Sequence, residues 1–65
     1  MRDKAINALK AHAEGEIQKH VYNIEVLLNH GQGVAEHPDH IETIQKELDK
    51  ISVHKERIDA IDAYL

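Results

Sequence analysis

Apolar residues in this chain recur in steps of three and four, in two separate series, and that spacing leaves room for little besides helix. The first series is Ile6, Leu9, Ala13, Ile17, Ile24 and Leu27, with His20 completing the missing step. Val21 and Leu28 widen the stripe on one side. The second series is Ile41, Ile44, Leu48, Ile51, Ile58, Ile61 and Leu65, where His54 or Lys55 fills the gap. No stretch of useful length alternates with a period of two, so strands are not expected.

Between the two series lies "GQGVAEHPDH". Gly31 suits the position just after a helix end, where a positive φ is needed. Pro38 restricts the chain ahead of the next helix. Asp39 with Glu42 three residues later matches the Asp form of a capping box, and Glu42 to Lys46 adds an i,i+4 ion pair in the favoured orientation. The expected fold is all-α: one domain spanning 1–65, with a helix over about 3–30, a turn over about 31–38 and a helix over about 39–64.

So short a connection makes the helices antiparallel neighbours. With the turn centred near residues 34 and 35, facing residues have numbers that sum to about 69. Leu28 then faces Ile41, Ile24 faces Ile44 and Gln45, Val21 faces Leu48, and Leu9 faces Ile58 and Ile61. One neighbour cannot cover so wide a stripe. A chain of this size buries only about 60% of its unfolded surface, and with no cysteine it has no disulfide to help. Self-association or a structural metal remains. The hairpin is therefore expected to dimerise into an antiparallel four-helix bundle through Ile17, Val21, Ile24, Leu28, Leu48 and Ile51, the alternative being a marginal monomeric hairpin. Gly15, in mid-helix beside Ala11 and Ala13, marks either a close approach by another backbone or by a ligand, or a tolerated, exposed glycine.

Six histidines in 65 residues raise a second question. In "HAEGEIQKH", His12, Glu16 and His20 fall at four-residue steps on one helical face, and the hairpin register brings His54 opposite them. Imidazole and carboxylate ligands of this kind suit zinc. His12 and His20 stand two turns apart, about 12 Å along the axis, so the realistic sets are His12 with Glu16, or Glu16 with His20, each joined by His54. "HPDH" offers His37 and His40, flanking a helix start that is expected to be open to water. A third reading is a pH-responsive assembly that dissociates between about pH 7 and 5, where free histidine titrates. The plainest reading is a seam histidine bonded to Glu16 or Gln18 that sets register alone.

Other classes find less support. The net charge is −4, with 12 acidic and 8 basic residues interspersed, and no basic cluster marks a nucleic-acid face. Val26, Leu27 and Leu28 form the longest bulky apolar run, far short of a membrane span. No cationic segment followed by an apolar stretch opens the chain, and a cytoplasmic location is expected. Ser52, the only serine, points to another side of its helix than His54. "GQGV" lacks the lysine and helix start of a phosphate-binding loop. An enzyme is not expected, nor any obligatory cofactor.

The stretches "ALKAHAEGEIQKH" and "NIEVLLNHGQGVAEHPDHIETIQKELDKI", with the tyrosine near the C-terminus, resemble uncharacterised small helical proteins of T4-like marine phages that infect cyanobacteria. The resemblance spans nearly the whole chain and carries no catalytic or ligand residues with it. It implies a phage-encoded accessory protein working in the host cytoplasm, with a host or phage protein as partner, while the leftover apolar stripe itself suits self-association or another helical protein.

Overall fold

The structure, a computed structural model, describes residues 1–29 and 39–65. Two helices, α1 (Arg2–Asn29) and α2 (Asp39–Tyr64), pack against each other, and the described residues contain no strand. The expected end of helix one at residue 30, the turn over 31–38, and the roles proposed for Gly31, His37 and Pro38 lie outside the described residues. Asp39 and Glu42 occupy the first turn of α2, where carboxylates complement the exposed N–H groups. Thr43 Oγ1 donates to the Asp39 carbonyl oxygen at 2.8 Å, and Lys46 stands 4.0 Å from Glu42.

The helices run antiparallel. Arg2 donates to the carbonyl oxygen of Leu65, Lys10 pairs with Asp62 at 2.7 Å, Asn23 donates to Glu47 at 3.3 Å, and His40 reaches the Leu27 carbonyl at 2.8 Å. These partners have numbers summing to between 67 and 72, which brackets the register read from the turn.

A seven-residue repeat organises the seam. On α1 the inner positions are Ile6, Lys10, Ala13, Ile17, His20, Ile24 and Leu27, with Glu16 and Asn23 partly covered beside them; on α2 they are His40, Ile44, Glu47, Ile51, His54, Ile58 and Ile61. Steps of four and three alternate throughout, as in a two-stranded coiled coil. The apolar series predicts Leu9, Ile41, Leu48 and Leu65 on the inner face, yet these are 48%, 62%, 49% and 58% exposed. His40 and Glu47, each one residue earlier, take the inner places on α2. A straight helix cannot change face halfway along. Near the chain termini the choice lies between His54 with Ile61 and Lys55 with Asp62, and burial favours the former pair. The turn-proximal half must follow, which draws His40 and Glu47 inward and leaves Ile41 and Leu48 on the flank.

The resulting core is thin. Among the described residues only Ala13 and Ile61 are buried apolar groups, and His20, 6% exposed, is the one buried polar side chain. Much of the inner face is polar, and its polar groups have been matched across the seam.

Candidate functional site

At mid-seam, α1 supplies Glu16, His20 and Asn23, while α2 supplies Glu47 and His54. His20 sits at an inner position of the repeat, so its ring is enclosed by both helices rather than projecting to water. Its Nδ1 is hydrogen-bonded to Glu47 Oε2, which also accepts from Asn23 Nδ2 at 3.3 Å. Its other nitrogen, Nε2, stands 3.6 Å from Glu16 Oε2. His54 Nε2 approaches the same Glu16 oxygen at 3.9 Å, and the His20 and His54 rings lie nearly parallel with centroids 6.3 Å apart.

The trio Glu16, His20 and His54 thus offers three ligand-type atoms, all within 4.8 Å of one another. His12 remains outside it. That ring is exposed and meets His54 edge-on at 6.4 Å between centroids. Two cations compete for the edges of the cluster. Lys19 Nζ lies 2.9 Å from Glu16 Oε2, and Arg57 Nη1 stands 3.4 Å from His54 Nδ1.

These contacts hold both carboxylates ionised. The hydrogen bond from His20 pulls the Glu47 carboxyl below its usual value; Asn23 and Lys50 act in the same direction and partial desolvation opposes them. Glu16 is lowered chiefly by its hydrogen bond from Lys19, against a smaller opposing effect of burial. At the terminal end the hydrogen bond to Asp62 raises Lys10 above the ordinary lysine value.

His40 departs from its sequence reading. It is half-buried, and its Nε2–H donates to the carbonyl of Leu27 in the last described turn of α1. It serves as a side-chain cap supplied by the neighbouring helix. Glu47 is the residue that the apolar pattern passes over. Its signal is the register: a sum of about 69 places 47 level with 22, within one turn of both 20 and 23.

The six candidate interface residues divide into two groups. Ile17, Ile24 and Ile51 are half-buried between α1 and α2, whereas Val21, Leu28 and Leu48 are 40%, 63% and 49% exposed. On the opposite flank, Tyr22, Asn23, Val26, Leu27, Thr43 and Glu47 line an open groove of about 420 Å³. Neither described helix is long and apolar enough to cross a membrane. No family model matches this chain, and no curated protein or solved structure matches it.

Proposed function

We propose that the chain is a non-enzymatic interaction module whose first partner is a second copy of itself. One observation carries the reading: an exposed apolar strip runs along a single flank of the hairpin. Val21, Leu28, Ile41 and Leu48 each follow an inner seam position by one residue, namely His20, Leu27, His40 and Glu47. In an antiparallel pair, residues offset the same way from the seam fall on the same flank. The strip is therefore continuous across both helices, with Leu28 level with Ile41 and Val21 level with Leu48.

The flank is also self-complementary. Next along it, towards the termini, come Glu14 on α1 and Lys55 on α2. A two-fold axis parallel to the hairpin sets α1 of one copy against α2 of the other. Val21 then meets Leu48, Leu28 meets Ile41 and Glu14 meets Lys55, each pair occurring twice. Every helix gains a second antiparallel neighbour, which is the arrangement of a four-helix bundle. Eight half-exposed side chains contribute on the order of 1 kcal/mol each. That lies within the association cost of about 4–15 kcal/mol, so the net gain is small and the dimer forms only at high protein concentration. The resemblance to phage proteins suits a small cytoplasmic accessory protein of an infected bacterium, whose bundle face could also accept another helical protein.

Sedimentation equilibrium of the wild-type chain and of Val21→Glu tests the reading. The wild type should shift from monomer to dimer with concentration, while Val21→Glu, burying two carboxylates per dimer, should stay monomeric with its helical circular dichroism intact. Equal masses for both proteins across the whole range would sink it.

A further inference from the structure

We infer that Glu16, His20 and His54 form a binding site for a divalent transition-metal ion of the zinc class, joining α1 to α2 across the seam. The inference goes beyond self-association and does not depend on it. Glu47 accepts from His20 Nδ1, so that nitrogen carries a proton, and whenever the ring is neutral Nε2 presents its lone pair. Nε2 stands 3.6 Å from a carboxylate oxygen of Glu16. Two electron-rich atoms held this way repel unless a cation lies between them. A proton on Nε2 would suffice for this pair alone. His54 argues for a metal, because its Nε2 converges on the same Glu16 oxygen at 3.9 Å and supplies a third donor that a shared proton does not require.

The geometry is close to what zinc needs. Bonds of about 2.0–2.1 Å in a tetrahedron set ligand atoms roughly 3.3 Å apart. The trio lies within 4.8 Å and two of its separations are 3.6 and 3.9 Å, so side-chain torsions alone can close it. Glu47 supplies the outer carboxylate that ligating histidines commonly have, fixing ring orientation and leaving Nε2 for the ion. Asn23 steadies Glu47 in turn. Three protein ligands leave one position of a tetrahedron for solvent or an exogenous ligand.

Two residues oppose loading. Lys19 shares the Glu16 oxygen and must yield it. Arg57 can only donate, so its approach to His54 Nδ1 favours the tautomer with hydrogen on Nε2, whereas ligation through Nε2 needs that hydrogen on Nδ1. Arg57 is exposed and lies outside the seam, so removing it should improve the site without disturbing the fold.

The test is calorimetric titration of zinc chloride into the chelator-stripped full chain near neutral pH, with far-UV circular dichroism on every variant. The wild type should bind one zinc per chain. His54→Ala should weaken binding by more than about 100-fold, because even outer-shell partners are worth about 10–100-fold. Glu47→Gln should weaken it within that outer-shell range, and His12→Ala should bind as the wild type does. Should His54→Ala fail to fold, Arg57→Met decides: it should bind zinc more tightly, by on the order of 10-fold. Absence of saturable wild-type binding would overturn the inference. So would equal losses in His12→Ala and His54→Ala, or an Arg57→Met variant that binds no more tightly.

Discussion

Replacing Gly15 by alanine should raise the stability of this hairpin. The position lies in the middle of the 28-residue helix α1, and an alanine Cβ built there meets nothing within 4 Å beyond its chain neighbours and the adjoining helix backbone. Its φ is not positive, so alanine adopts the same backbone without strain. Glycine in a helix interior costs about 1 kcal/mol relative to alanine, much of it because the unfolded chain is freer. Nothing in the surroundings offsets that gain. For a domain of about 60–100 residues, 1 kcal/mol corresponds to roughly 4–8 °C in melting temperature. Thermal melts of wild type and Gly15→Ala, followed by far-UV circular dichroism at matched concentration, would read this directly. An unchanged or lower melting temperature would refute the reasoning, since it would mean that some group approaches Gly15 closely. The same variant bears on the dimer: Gly15 lies on the outer side of α1, away from the Val21–Leu48 flank, so the association constant should not change. A dimer weakened by one added methyl group would move the interface to the narrow Ala11–Gly15 stretch.

Acid should weaken the fold through the seam carboxylates. Glu47 and Glu16 titrate below their ordinary value of 4.5 in the folded chain, so the stability they add is present above that value and is lost as pH falls through their lowered folded values. Melts between neutral pH and pH 3 should show the decline, and Glu47→Gln should flatten it; an unaltered profile in that variant would contradict the assignment. The His20–Glu47 pair makes a separate prediction. His20→Leu and Glu47→Leu should each destabilise by stranding the other member, whereas the double variant should be more stable than either single one. Chemical denaturation of the three variants measures this, and strictly additive effects would show that the pair is uncoupled.

The interruption of the apolar stripes was the most informative signal in the sequence, and what it said about chemistry was incomplete. His20 and His54 stand out because they occupy steps that apolar residues should fill. Glu47 does not stand out, because Leu48 beside it satisfies the apolar pattern better. His40 is hidden in the same way behind Ile41. In each case the local pattern favours the apolar neighbour, and the choice is overruled by the distant half of the same helix, where His54 and Ile61 are set against Lys55 and Asp62. No window of a few residues contains that competition.

What the sequence determines by itself is the existence of two helices, their antiparallel pairing and an approximate register, because three-and-four spacing and a glycine-proline break are local properties that survive any packing. What the tertiary structure alone decides is which of two overlapping stripes faces inward on α2. A rigid helix presents one face along its whole length, so burying His54 and Ile61 obliges Glu47 and His40 to turn inward with them. That single rotation matches Glu47 to His20, caps Leu27 with His40, brings Glu16, His20 and His54 within ligand distance, and leaves Ile41 and Leu48 exposed beside Val21 and Leu28 on one flank.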